Sequence, residues 1–213
     1  MTRTDITRLR EKGSTERADL DALLDSCILG HFGLVADDGH PVVIPTAIVR
    51  DGDRVLAHGS TGSRWMRRLA DGVPACLTVT ALEGVVVARS AFESSLHYRS
   101  AVLFGACTPV VDIDSALDLI TERLIPGRAS EIRRPRKAEL AATLVLELPI
   151  SEWSLKISAG WPDDPEDDVA GDSWAGVVPM ITRYAAPAPA PDLRAGIAVP
   201  PSVLALGDGS SPE

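Results

Sequence analysis

No two cysteines of this sequence stand at the spacing of a zinc site or a redox pair. There are three, Cys27, Cys76 and Cys107, an odd number set far apart in apolar surroundings, so they read as buried reduced thiols. The arginines of the N-terminal "MTRTDITRLREKGSTER" have no apolar run behind them, so neither a secretory signal nor a membrane span is expected. Together with reduced thiols, this points to the cytoplasm. Positive charge is scarce too. With 21 Lys and Arg against 30 Asp and Glu, the formal net charge is −9, which argues against a general binder of nucleic-acid backbones and leaves a small-molecule site as the expectation. Walker A and dinucleotide-binding glycine motifs are absent. So is any separate catalytic triad, acid pair or metal set.

What is present fits one domain with a sizeable core and an extended tail: 213 residues, 45% of them apolar and 24% charged. Leu20, Leu23, Leu24 and Cys27 fall at helical spacing over residues 19–29, so an amphipathic helix opens the fold. Next, "HFGLVADDGHPVVIPTAIVRDGDRVLAHG" holds three apolar runs separated by Asp-Asp-Gly and Asp-Gly-Asp, the pattern of an antiparallel meander. Two longer β-branched runs follow, "VPACLTVTALEGVVVARSA" and "LHYRSAVLFGACTPVV", and Gly105 in the second suggests a bulge or a close backbone approach. Helices are expected at "DSALDLITERLI" and around "RRPRKAELAATL", then strands at "TLVLELPI" and "EWSLKIS". Six or seven sequential strands without strand-helix-strand alternation predict a mainly β protein, an antiparallel barrel with peripheral helices. From Ala185 on, "APAPAPDLRAGIAVPPS" excludes helix and central strand and predicts an extended arm. With Ile197, Val199 and Leu204 it either packs across a partner or hangs as a loose tail.

One stretch changes character midway. "RVLAHGSTGSRWMRRL", residues 54–69, begins as a strand, passes through His58-Gly59-Ser60-Thr61-Gly62-Ser63 and resumes as a helix with Trp65, Met66 and Leu69 on one face. Three hydroxyls, two glycines, a helix start and Arg64 within a few residues suit a phosphate monoester. A turn that merely caps a helix would look similar.

The layout resembles the FMN-binding split barrel of the pyridoxamine 5′-phosphate oxidase-like superfamily, in the branch of flavin-nucleotide-binding proteins related to nitroimidazole-resistance proteins. Four motifs in order carry the resemblance over roughly residues 18–205: "AHGSTGSRWMRRL", "HYRSAVLFGA", "SLKISAGWPDDPEDD" and "WAGVVPM" with its Pro-rich end. The implied division is an N-terminal extension over 1–17, a barrel over 18–184 and a C-terminal arm over 185–213. Arg64 stands where many relatives have Lys, which keeps the charge and alters its geometry. The resemblance implies an FMN phosphate on Ser60, Ser63 and Arg64, with Thr61 in the same turn and His58 and Gly59 at the flavin's edge. It places Ile44, Pro45, Thr46 and Ala47 along the ring, and Tyr98, Arg99 and Ser100 on the flavin or its ribityl chain. It also implies a homodimer with the cofactor at the interface, so that Trp161 or Trp174 could come from the other subunit.

Other residues carry competing readings. His58 is either a donor to flavin or a structural histidine, and Arg99 must meet a phosphate, a carboxylate or solvent. His97 is assigned to the surface or an interface; His31 and His40 receive no role. Three of the nine aromatics, Trp153, Trp161 and Trp174, either line a substrate pocket or pack at a dimer interface. The runs "DDPEDD" and "RRPRK" read as a solvated acidic loop and a solvated helix start. The chemistry implied is that of an FMN-dependent oxidoreductase acting on a small organic molecule, a nitro compound among the candidates, with NAD(P)H or another donor regenerating reduced flavin. A flavin carrier, store or sensor without turnover is the alternative, and a deazaflavin-dependent reductase is a third. The C-terminal Arg-rich substrate signature of authentic pyridoxamine-phosphate oxidases is not found.

Overall fold

The first helix is short because its apolar stripe is short. In the computed structural model, which describes residues 2–207, α1 spans Arg17–Ser26 and buries Leu20, Leu23 and Leu24. Cys27, expected inside this helix, instead ends it in an extended conformation. Before it, a two-residue strand β1 (Gly13–Ser14) pairs with Lys156 and Leu155, so part of the N-terminal extension belongs to the sheet.

The expected meander follows as β2 (Leu29–Val35), β3 (Pro41–Asp51) and β4 (Arg54–Ser60), each antiparallel to the next. Gly39 and Gly52 make its turns at φ of +85° and +57°, backbone conformations that other residues adopt only under strain. After α2 (Arg64–Ala70), the strands β5 (Pro74–Val87) and β6 (Ser95–Ala106) form the longest pair of the sheet. Strand β7 (Thr108–Pro109), α3 (Ile113–Leu124) and the five-residue α4 (Lys137–Ala141) lead to β8 (Thr143–Pro149) and β9 (Trp153–Ser158). A single turn, α5 (Glu166–Val169), precedes β10 (Gly176–Pro179), and α6 (Pro201–Gly207) lies within the expected arm, whose last residues, 208–213, fall outside the described ones; the stretch said to exclude helix thus ends in one, because proline is tolerated in a first helical turn.

The strands run in the order β1-β9-β6-β5-β2-β3-β4-β8-β7, with β10 on β5. All pairings are antiparallel. The sheet curls on itself until a Cβ added at Gly105 of β6 would lie 3.1 Å from the Leu148 side chain of β8. That close approach, rather than a bulge, explains Gly105. The bulge lies between Leu82 and Gly84, where β5 leaves register with β6.

One core fills the barrel. Leu77, Val79, Ala101, Leu103 and Leu155 are fully buried on its β5-β6-β9 wall, facing Val55, Ala57, Leu146 and Leu148 of β4 and β8. Each such leucine contributes about 1.5–3 kcal/mol of transfer free energy. The α1 leucines join this core, as do Met66 and Leu69 of α2. A second, smaller cluster sets Ala116 and Ile120 of α3 against the outside of β3, β4 and β8. Cys107 is buried and its thiol is pushed up to about 12 by desolvation, while Cys27 and Cys76 are half-buried; all three are free.

One of the two solvated readings needs correction. The Asp164 carboxylate of "DDPEDD" is wholly buried, taking Arg89 N–H at 2.8 Å and its guanidinium at 2.9 Å. The reading of "RRPRK" as a solvated helix start stands: Arg133 and Arg134 are exposed just before α4, Arg134 pairing at the surface with Asp114 and Asp118 of α3 and Arg133 with Glu139. A run of like charges finds its counter-charges on other elements, which local composition does not reveal.

Candidate functional site

Strand β3 is shared between two pairings, and the site begins where they separate. Its residues Ile48–Asp51 pair with Ala57–Arg54 of β4, whereas Pro41–Ala47 pair only with β2. Beyond Ala57, β4 continues as His58-Gly59-Ser60 paired only with β8. The barrel therefore splits between Ala47 and His58. One lip is the free backbone edge of residues 41–47, with N–H and C=O groups that no neighbouring strand satisfies. The other lip is the end of β4 and the turn into α2.

That turn is held by its own short bonds. Ser63 N–H donates to Ser60 C=O at 2.9 Å, and Gly62 N–H donates to Ser60 Oγ at 3.1 Å. Thr61 gives both its N–H (2.9 Å) and its hydroxyl (3.3 Å) to the Ala142 carbonyl, which ties the turn to the start of β8. The Ser63 hydroxyl, at the N-cap of α2, caps nothing. Helix α2 has only seven residues, so hydroxyls and guanidinium groups carry the attraction for an anion here more than a helix dipole does. Gly59 sits close under α2: a Cβ there would lie 3.0 Å from Met66 Cγ, so the Met66 side chain would have to give way.

Arg68 of this helix is committed, pairing with Asp37 and donating to Val35 C=O at 2.9 Å. Arg64 and Arg67 have no carboxylate partner among the described residues and are exposed. They lie one helical turn apart and so share a face. In a chain with a net charge of −9, two guanidinium groups without carboxylate partners on the helix that follows the split are a place for an anion. His58, on the same lip, is half-buried, and burial pushes its imidazole below the ordinary value. Its Nδ1 is buried without a hydrogen-bond partner.

The remaining expected residues divide by face. Of "IPTA", Pro45 and Ala47 point outward with their cross-strand partners His31 and Leu29, while Ile44 and Thr46 turn toward the barrel interior with Phe32 and Gly30. On β6, Tyr98 and Ser100 face outward, and Ser100 Oγ lies 3.2 Å from Thr80 Oγ1. Arg99 points the opposite way. Its Nε donates to Glu83 at 2.7 Å and its Nη2 to Ser26 at 3.3 Å, so of the three possible partners it has a carboxylate. His97, on the far side of the bulge, lies with Nε2 2.7 Å from the Gly160 carbonyl. Within one chain β6 is three strands from β3, about 14 Å. The two groups of expected residues therefore do not converge.

Sequence reasoning missed the surface that joins them. The outward positions of β2 from 29 to 35, β3 from 41 to 47, β5 from 76 to 82 and β6 from 98 to 104 carry no Asp, Glu, Lys or Arg. One complete row reads Pro45, His31, Thr78, Val102, Ser154. The alternation was visible in each strand, but which strands would lie side by side was not. Among the described residues no group of His, Cys, Asp and Glu is placed to hold a metal ion, and no helix is long and apolar enough to cross a membrane.

Comparison with known proteins places this geometry. No match was found among curated proteins. A FAD and heme binding protein from Mycobacterium smegmatis superposes with a TM-score of 0.89 at 53% identity, covering 92% of this chain and 97% of that one. A flavocytochrome from Azotobacter vinelandii superposes with a TM-score of 0.91 at 34% identity, over 97% of both chains. A protein from Bacteroides thetaiotaomicron named for 5-nitroimidazole antibiotic resistance shares the fold at a TM-score of 0.56, with 15% identity over 68% of this chain and 86% of that one. Residues 16–157 match the family described as pyridoxamine 5′-phosphate oxidase, and the chain, a mainly antiparallel split barrel, belongs to that family.

Proposed function

We propose that the chain binds a flavin in the split between β3 and β4 and uses it for electron transfer to or from a small organic molecule. The observation that carries this reading is a free strand edge, Pro41–Ala47, on one side of the split, with Arg64 and Arg67, which have no carboxylate partner among the described residues, on the helix that follows the other side. A planar heterocycle with carbonyl and N–H groups suits the edge, and a phosphate suits the guanidinium groups. The flavin relatives support it. A ring seated there meets Tyr98 and Ser100 only if they come from a second copy, which supports a homodimer. Flavin supplies the hydride and electron chemistry when bound. The chain's part is to bind the phosphate, orient the ring along β3 and present a neutral His58 at its edge.

The sequence favours FMN, through one compact anion site. Arg67, one turn beyond Arg64, offers a second cation for a diphosphate, and the relative at 53% identity is named for FAD, so FAD is the competing ligand. Titration with both flavins separates them. Arg64→Ala should lower FMN affinity roughly ten- to a hundred-fold while riboflavin binding stays unchanged. Unchanged FMN affinity in a folded variant refutes the phosphate site. Bleaching of the flavin absorbance by NAD(P)H distinguishes an oxidoreductase from a carrier or sensor.

A heme is a second reading, favoured by the names of both relatives. The residues fit one. The His31 side chain makes no hydrogen bond among the described residues and sits among small outward neighbours, and His58 has its orphaned ring nitrogen. His40, exposed beside Asp38, and His97, held by Gly160, fit less well. Heme supplies one-electron chemistry when bound. Hemin titration of wild type, His31→Ala and His58→Ala, read at the Soret band, tests for an axial ligand.

A further inference from the structure

The sequence has three lysines, and two of them meet at one edge of the sheet. Lys156 lies on β9 opposite Ser100, so its side chain shares the outward face, and Ser158, two residues on, lies opposite Tyr98 on the same face. The Lys156 ammonium donates to the Arg8 carbonyl at 3.1 Å, and the Lys12 ammonium donates to the Ser158 hydroxyl at 3.1 Å. Ser158 is only 4% exposed, and both lysines are half-buried. Neither lysine meets a carboxylate among the described residues; Asp5 and Asp19 are taken up by Thr2 and Ser14. An ammonium has three donors, and each uses one here. The backbone is bent to bring the two together. Leu9 stands at φ +54° and ψ +55°, the one non-glycine residue among the described ones in the left-handed region, a conformation that a side chain makes costly. It separates the Arg8 carbonyl that receives Lys156 from the single turn, Arg10–Lys12, that delivers Lys12. Leu9 is 45% exposed, so burial does not repay its strain. The segment is fixed on both sides: Arg3 Nε donates to Glu152 at 2.7 Å with its guanidinium 5.2 Å from the centre of the Phe104 ring, and β1 is paired with β9.

We propose that Lys12 and Lys156 form a second anion site, one that takes the carboxylate or phosphate of a small organic molecule. Lys156 and Ser158, on which Lys12 rests, stand about 6–7 Å apart along β9, a span that two lysine side chains can close around one oxyanion. Two half-buried ammonium groups without a carboxylate repel each other, and an anion between them turns that repulsion into attraction. The site is separate from the turn into α2, because β9 is four strands from β3, about 19 Å along the sheet. Its neighbours define the rest of the ligand. From Lys156 the row continues through Ser100 to Thr80, and from Ser158 through Tyr98 to Leu82, with no charged residue. A molecule with its acidic end at the lysines therefore lays an uncharged body over hydroxyl and aromatic groups. As a substrate subsite this rests on the flavin reading, in which Tyr98 and Ser100 of a second copy face the ring, and it narrows the substrate to an organic anion. As an anion site it stands on these residues alone.

The test is calorimetric titration of the flavin-free full chain with 4-nitrobenzoate, phenyl phosphate and uncharged nitrobenzene. Wild type should bind the anions, and Lys12→Met combined with Lys156→Met should bind them at least about ten-fold more weakly, the loss expected for charge-assisted hydrogen bonds, while keeping its circular dichroism. Lys12→Met alone leaves β9 untouched and should already weaken both anions. Lys156→Arg keeps the charge and should bind more tightly than Lys156→Met. Nitrobenzene, without an acid group, should not distinguish wild type from the double variant, and Arg64→Ala, which alters the other anion site, should leave both anion affinities unchanged. A preference for the carboxylate or for the phosphate supports the site and names its source. No anion binding by wild type, unchanged affinity in the lysine variants, or an equal loss in Arg64→Ala overturns the proposal. Flavin binding is measured separately: a chain that takes the anions and no flavin refutes the functional reading and leaves this site standing, whereas flavin binding with unchanged anion affinity in the double variant does the reverse.

Discussion

The two faces of β5 and β6 are both nearly free of charge, yet only one is covered. Inward, Leu77, Val79, Ala101 and Leu103 are fully buried against α1 and the opposite wall. Outward, along the same strands, Cys76, Thr78, Val102 and Ser100 stand partly open. Burial in the barrel explains why the first set is apolar. The second set has no such explanation inside the chain, because an exposed sheet face normally alternates with charged and polar residues. The difference teaches that the fold of one chain accounts for only half of the pattern written into these strands.

The largest expected effect breaks the inward face. Leu103→Ala should cost about 2–5 kcal/mol by leaving a cavity in a close-packed wall. Val102→Ala, its neighbour on the outward face, should stay within about 0.5 kcal/mol in the dissociated chain. Denaturant unfolding of both at low protein concentration checks this, and equal losses would show that the outward face is already packed within the monomer. A smaller effect separates the two arginines that the sequence assigned to the flavin. Arg99→Ala should cost no more than about 1 kcal/mol, since its bond to Glu83 is partly solvated, and should leave flavin affinity unchanged, in contrast to Arg64→Ala. An equal loss of affinity in both variants would move the phosphate site toward β6.

The smallest effect is a dependence on pH. Burial lowers the imidazole of His58 below its unfolded value, so below the ordinary imidazole range the unfolded chain takes up a proton that the folded chain refuses. The His58 contribution is therefore intact above that range and declines as pH falls through it. The apo wild type should lose stability between about pH 7 and 5 more steeply than His58→Gln, as followed by thermal melts; parallel curves would indicate that the ring is solvated.

Most of the architecture was legible because hairpin turns and period-2 alternation are local signals. The strands β2 to β6, β8 and β9, and the buried stripe of α1, were all readable. The very short β1, β7 and β10 were not, since two to four residues hold no period and take their strand geometry from longer neighbours. The expected helix around "RRPRKAELAATL" shrinks to Lys137–Ala141, because Pro135 restricts its start and Thr143 is claimed by the ladder of β8 with β4. Within the candidate site, the turn from His58 to Arg64 was legible as a cluster of donors. The split was not, since "PVVIPTAIVRD" reads as one uninterrupted strand. Only the pairing partners reveal that its two halves belong to different neighbours. The partner of Arg99 was hidden for a related reason: Glu83 sits at a bulge that shifts the side-chain alternation, and no spacing rule announces it.

Gly84 deserves a last consequence. A Cβ at this position would come within 2.8 Å of the Val178 carbonyl, so β10 seats on β5 in the register that passes a backbone over a missing side chain. The arm therefore departs from a fixed point, and Glu131, which takes the Ser202 N–H at 3.1 Å, fixes its return. Chain length between two fixed points is a constraint, and here three consecutive Ala-Pro steps, 186–191, stiffen part of it. Removing one Ala-Pro pair would leave both anchors intact and shorten the span that joins them.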